Sequence, residues 1–159
     1  MKKSVLFICL GNICRSPAAE AVFKEIVNKE GLSEQINCDS AGIAGYHVGE
    51  TADRRMQCSA MRHGYKLTSI ARKFNHSKDF DDFDYIIGMD DSNIHDLERM
   101  AGNAIESDKI FKITDFCTTT GHSEVPDPYY GGTEGFELVL QILEDACNGL
   151  LNKIKKEID

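Results

Sequence analysis

Residues 4–16 read S-V-L-F-I-C-L-G-N-I-C-R-S, and the fold follows from how this stretch is parsed. Positions 4–9 form a short, almost wholly apolar run, the pattern of a strand buried on both faces in a parallel sheet. Gly11-Asn12 interrupt it with residue types that tolerate the positive φ angles of a tightly curled loop. Ser16 then predicts an N-cap and Pro17 the first helical position, with Ala19, Val22, Phe23, Ile26 and Val27 at helical spacing until Gly31. The order is strand, loop, helix.

The same alternation continues along the chain. Residues 36–40 predict a second strand, and 51–63 a helix with Met56 and Ala60 inward, closed by Gly64. Residues 83–89 predict a strand, 92–101 a helix with Ile94, Leu97 and Ala101 on one face, and 109–113 another strand. Phe136, Leu140, Leu143, Cys147, Leu150 and Ile154 step by three or four and mark a long amphipathic helix that packs on the sheet. The fold class is therefore α/β, with a parallel sheet covered by helices on both faces and ligands bound beyond the carboxyl ends of the strands. The first loop sits at that edge. The charged cluster at 79–84 reads as a solvated surface.

The chain has 159 residues, 42% hydrophobic and 28% charged, which suits a single domain over 1–159 that buries about two thirds of its unfolded surface. A net charge of −8 excludes nucleic acid as a partner and requires any anion site to be a local positive feature. The apolar run after Lys2-Lys3 is too short for a secretory leader, so the expectation is a cytoplasmic protein without a membrane span, in which Asn75-His76-Ser77 stays unglycosylated. Six cysteines, at 9, 14, 38, 58, 117 and 147, have no metal-like or C-x-x-C spacing, so no metal is expected and most are read as small core residues.

Between the strand and the helix, C-L-G-N-I-C-R-S places five residues between Cys9 and Arg15. A loop of that length can curl so that successive N–H groups point at an anion, with the helix N-terminus adding its positive dipole end. Leu10, Gly11, Asn12, Ile13 and Cys14 would form the cradle. Arg15 can reach two oxygens of a phosphate with its planar fork. Cys9 stands at the loop's origin, where these groups stabilise negative charge on sulfur and make it a nucleophile aimed at phosphorus. The missing G-K-[ST] ending argues against a nucleotide-binding loop. Tyr129 and Tyr130, with Leu10 and Ile13, supply flat and apolar walls for an aromatic ring. Asp127, between Pro126 and Pro128, sits on a stiffened loop where a carboxylic acid could protonate a leaving phenolate.

These features resemble the low-molecular-weight protein tyrosine phosphatase family: the C-x5-R-S signature, D-S-A-G at 39–42 and D-P-Y-Y-G at 127–131 recur in order across essentially the whole chain. The resemblance implies a four-stranded parallel sheet, a phosphocysteine intermediate, no metal or other cofactor, phosphotyrosine proteins as partners, and phosphate and similar oxyanions as inhibitors. It assigns Asp127 as general acid and then base. It also implies a bond from Ser16 to the Cys9 sulfur, loop support from Asn12 and Ser40, and Tyr46 at the pocket rim. The family's histidine before x-A-R is Ser69 here, which predicts a weaker network around Asn12. The remaining histidines, at 47, 63, 76, 95 and 122, are read as surface or half-buried.

Cys14 shares the loop with Cys9. Reactivity, proximity and the resemblance together suggest that it captures an oxidised Cys9 as a disulfide. A thioredoxin-coupled arsenate reductase would need a mid-chain cysteine pair, yet no cysteine lies between 58 and 117. A protein arginine phosphatase would typically carry threonine at 13 and lack the paired tyrosines. A phosphopeptide-binding module would need no Cys9 and Asp127 together.

Overall fold

β1 (Lys3–Cys9) lies inside a four-stranded parallel sheet of order β2-β1-β3-β4, flanked by β2 (Ile36–Gly42) and β3 (Tyr85–Gly88), with β4 (Ile110–Lys112) at the edge. The computed structural model describes residues 2–129 and 131–158. Helices α1 (Arg15–Lys29), α2 (Arg54–Arg62), α3 (Asp79–Asp82), α4 (Asp91–Met100), α5 (Ala104–Ser107) and α6 (Thr133–Ile158) complete it, with a 3₁₀ turn at Ile113–Phe116. The expected three-layer α/β fold is the one observed. No helix among the described residues is long and apolar enough to cross a membrane.

The reason lies in β1. Its odd positions, Val5, Phe7 and Cys9, join a core built with α1, α2 and α6, whereas Leu6 and Ile8 join a second core with Phe80 of α3 and Leu97 of α4. Both faces are covered, so the strand reads as continuous apolar sequence rather than as alternation. Phe7 and Phe23 meet edge-on with centroids 5.6 Å apart, fixing α1 over the strand that feeds it. On α6, Phe136, Leu140, Leu143, Cys147, Leu150 and Ile154 are all fully buried, as their spacing predicts. Each such large side chain contributes about 1.5–3 kcal/mol relative to exposure.

Some expectations need correcting. Helix α1 begins at Arg15 with Cys14 in the cap position and no side-chain cap, so Ser16 is not the N-cap. Its hydroxyl has a different partner in the loop. Helix α2 starts at Arg54, later than expected, because Asp53 caps it by accepting from the N–H groups of Arg55 and Met56. The 79–84 cluster is more than a solvated surface: Asp79 is buried, pairs with Arg72 at 3.1 Å and accepts from the N–H of Asn75, and Asp84 accepts from the N–H of Ser4. Only Cys9, Cys14 and Cys147 among the cysteines are buried, while Cys58 is exposed. The short α3 and α5 have too few residues to leave a periodic signal.

Candidate active site

Cys9 ends β1 at the carboxyl edge of the sheet, and the chain curls from it into α1. The curl depends on Asn12, whose φ of +58° makes it the one non-glycine residue with positive φ among the described residues. Its amide is satisfied at both ends: Nδ2 donates to Ser16 Oγ at 2.8 Å, and Oδ1 accepts from the Arg72 N–H at 3.0 Å. Through Arg72 this support continues to buried Asp79 and to Asp39. Gly11 is not needed for φ. Its lack of a side chain leaves room for the His47 ring, which a Cβ there would meet at 3.0 Å.

The chain that follows D-S-A-G braces the loop through its backbone. Ile43 and Ala44 donate N–H bonds to the carbonyls of Cys9 and Leu10, and Asp53 does the same to Ile13. A Cβ on Gly42 would lie 3.0 Å from both Gly11 and Leu10, so only glycine allows this approach. Ser40, expected to hold the loop, instead donates its hydroxyl to Glu20 Oε1 at 2.6 Å and thereby ties β2 to α1. Ser69 borders a separate cavity of about 20 Å³ beside Glu20 and Pro17. It leaves no unmet group on Asn12, so the expected weakening of that network does not appear in its hydrogen bonds.

The Cys9 sulfur accepts from the Asn12 N–H at 3.3 Å and lies 3.0 Å from Ser16 Oγ, the expected contact. Arg15 is only 3% exposed. Its Nη1 donates to Asp90 Oδ2 at 2.6 Å and to the Val125 carbonyl at 3.0 Å, and its Nη2 is 3.7 Å from Asp127 Oδ2. Burial opposes the charge on Arg15, but the Cys9 sulfur, then Asp90 and Asp127, outweigh it and hold the guanidinium above its ordinary value. Four other thiols are raised, chiefly by burial: Cys38 up to about 12, and Cys14, Cys117 and Cys147 as well. At Cys14 the charges of Asp53, Cys9 and Asp127 add to burial. These four are poor nucleophiles near neutrality.

Asp127 is 41% exposed and turns its Oδ1 to accept from the Tyr129 N–H at 3.0 Å, which fixes the carboxyl within its turn. The turn is anchored upstream, where the Val125 N–H donates to the Met89 carbonyl at the end of β3. A pocket of about 150 Å³ results, lined by Cys9, Arg15 and Asp127 with Leu10, Ile13 and Tyr129 as walls. Tyr46 stands at its rim, 77% exposed. Tyr130 lies outside the described residues. A cleft of about 490 Å³ between α1, β2 and residues 64–66 contains none of these groups.

Three participants were not read from sequence. Asp90 both caps α4 and holds Arg15; a carboxylate at the end of the strand next to β1 was the available signal. His47, expected to be surface or half-buried with no role, is half-buried and lines the pocket 6.2 Å from the Tyr129 ring, with Nδ1 3.1 Å from Glu50. Arg55 stacks between Tyr129 and Phe136, at 5.3 and 4.9 Å from their centroids. No spacing rule connects residues so distant in sequence.

A thiol nucleophile, a buried guanidinium and a loop carboxyl around one anion-sized pocket define a phosphoryl-transfer site of the cysteine type. The comparisons agree. The model of the low molecular weight phosphotyrosine protein phosphatases matches residues 4–159. A crystal structure of a protein tyrosine phosphatase from Entamoeba histolytica, with Hepes in its active site, superposes with a TM-score of 0.95 at 48% identity, covering 99% of this chain and all of that one. The low molecular weight protein-tyrosine-phosphatase YfkJ of Bacillus subtilis is 44% identical over 154 residues, 97% of each chain. A structure of an arginine phosphatase from Drosophila superposes with a TM-score of 0.88 at 35% identity over 98% of both chains. The chain belongs to the low molecular weight phosphotyrosine protein phosphatase family, a family of hydrolases.

Proposed function

We propose that this protein hydrolyses phosphotyrosine in proteins, and small aryl phosphates, with Cys9 as nucleophile, Arg15 as phosphate ligand and Asp127 as general acid and base. The observation that carries this reading is the meeting of Cys9, Arg15 and Asp127 in one pocket walled by Leu10, Ile13 and Tyr129. Phosphate enters the loop with its oxygens toward the inward N–H groups and the free edge of Arg15, whose other edge Asp90 holds. The Cys9 sulfur attacks phosphorus and the bond to the phenolic oxygen breaks. Asp127 gives its proton to that oxygen, since phenolate, with a conjugate acid of pKa about 10, leaves poorly near neutrality. Asp127, now a carboxylate, takes a proton from water, whose oxygen attacks phosphorus and displaces the Cys9 thiolate. Ser16, 3.0 Å from the sulfur, is positioned to bond the departing thiolate. Inorganic phosphate is both product and inhibitor.

The reading extends to redox control in the cytoplasm, supported by six free thiols in a chain whose nucleophile needs a reducing compartment. Peroxide would convert the Cys9 thiolate to sulfenic acid; Cys14, which burial and nearby negative charge keep protonated at rest, would pass its proton to the departing hydroxide as its sulfur attacks, forming a disulfide and releasing water. A dithiol would restore both. Phosphate release from phosphotyrosine, phosphoarginine and phenyl phosphate tests the substrate reading. Turnover of the two aryl esters supports it, and a clear preference for phosphoarginine overturns it in favour of the arginine reading.

A further inference from the structure

Two concavities continue the catalytic pocket along α2. The first, of about 620 Å³, shares Ile13, His47 and Tyr129 with the pocket and reaches Arg54 and Gln57. The second, of about 400 Å³, shares Arg54 and Gln57 with the first and runs on to Cys58, Met61 and Leu67. Shared walls make these one open track from the phosphate loop along the solvent side of α2.

The charges on the track are unequally committed. Glu50 faces His47 Nδ1 at 3.1 Å, and Asp53 caps α2 while pairing with Arg55 at 3.0 Å. The Arg54 side chain is exposed and has no hydrogen bond or ion pair among the described residues, and the Lys66 side chain at the far end has none either. Between them Met61 is 59% exposed. Arg54 and Met61 are two turns apart on one face of α2, about 10.5 Å along its axis. An extended chain at about 3.3 Å per residue covers that distance in roughly three residues.

We propose that this track docks the polypeptide that flanks the phosphotyrosine, with an acidic side chain on Arg54 and an apolar side chain, about three residues farther from the phosphotyrosine, on Met61. The inference rests on the phosphotyrosine reading of the pocket. A carboxylate can meet the Arg54 fork in two hydrogen bonds, whereas a lysine there would face like charge. Methionine accepts apolar partners of varied shape. The net charge of −8 repels an acidic peptide as a whole, so the preference must be confined to one position rather than follow total charge.

The test measures kcat/KM for phosphotyrosine peptides carrying Glu, Ala or Lys in turn at each position on either side, with phenyl phosphate as reference. Glu should exceed Lys by roughly three- to tenfold at one position only, as expected for an exposed pair, and the ratio should shrink at high salt. In Arg54→Glu that ratio should invert. With Glu held at its preferred position, Leu should exceed Ser about three residues beyond it, and Met61→Ser should abolish that difference. Equal rates for all peptides, or a Glu preference that survives Arg54→Glu, overturn the proposal while phenyl phosphate is still hydrolysed. Loss of turnover on phenyl phosphate itself would instead fail the underlying reading.

Discussion

Replacing Asp90 by Asn isolates the charge that holds Arg15. Asparagine caps helices as well as aspartate does, so the bond to the Asn93 N–H at the start of α4 can survive and the fold should be spared. What disappears is the partner 2.6 Å from Arg15 Nη1. The guanidinium then keeps the Val125 carbonyl at 3.0 Å and Asp127 at 3.7 Å. Breaking a fully buried pair costs about 3–5 kcal/mol, and a charge-assisted hydrogen bond contributes about 1.5–3. Asp90 is 21% exposed, which places this case near 2–3 kcal/mol of lost Arg15 positioning. If that loss is felt in the transition state, kcat/KM on phenyl phosphate falls roughly 30- to 150-fold at about 1.36 kcal/mol per decade. The released guanidinium should also swing toward Asp127, 3.7 Å away, and pull its carboxyl off the leaving oxygen, so esters with poor leaving groups suffer most. Steady-state kinetics over a leaving-group series, with inhibition by phosphate and thermal melting alongside, reads all three effects. A kcat/KM within about threefold of wild type at unchanged stability would refute the reasoning, because Asp90 would then be only a helix cap.

Asp127→Ala should slow phenyl phosphate far more than an activated aryl ester, since only the former needs a proton; equal losses across the series would remove Asp127 from the acid role. After peroxide and then dithiol, wild type should regain activity and show a Cys9–Cys14 disulfide by mass spectrometry, whereas Cys14→Ser should accumulate irreversible sulfinic acid at Cys9; equal recovery would leave Cys14 a packing residue. Asp145 on α6 accepts from the N–H groups of Thr118, Thr119 and Thr120, and although burial opposes its charge these bonds hold its carboxyl well below the usual range. A depressed folded pKa stabilises above the unfolded value near 3.9 and is lost below it, so Asp145→Asn should cost about 1–2 kcal/mol in urea melts at pH 7. That gap should narrow only below about pH 4; a gap that does not depend on pH would exclude the carboxylate's charge as its source.

What sequence could and could not reveal follows from how local each cause is. The β1 strand, the C-x5-R spacing and the α6 stripe are local patterns, and the structure has Cys9 and Arg15 on one loop and the α6 residues on one buried face. Asp127 was legible because prolines flank it and because D-P-Y-Y-G at 127–131 matches the family's pattern. The start of α1 was misread because Ser16 serves the Cys9 sulfur rather than the helix backbone, a choice set by tertiary contact. Ser40 was misassigned for a similar reason: Glu20, one helix away, takes its hydroxyl. Asp90, His47 and Arg55 act through partners remote in sequence, so their roles emerge only once β3, the loop after β2 and α2 converge on the pocket.

Nucleophilic attack by Cys9 requires a bond between its sulfur and phosphorus during turnover. Rapid acid quench of Asp127→Ala during turnover of an activated aryl phosphate, followed by mass spectrometry, should find a phosphoryl group on Cys9, because the base that activates water is missing. In parallel, Cys9→Ser should bind phosphate yet turn over no substrate. A phosphoryl group on another residue, or substantial turnover by Cys9→Ser, would contradict it.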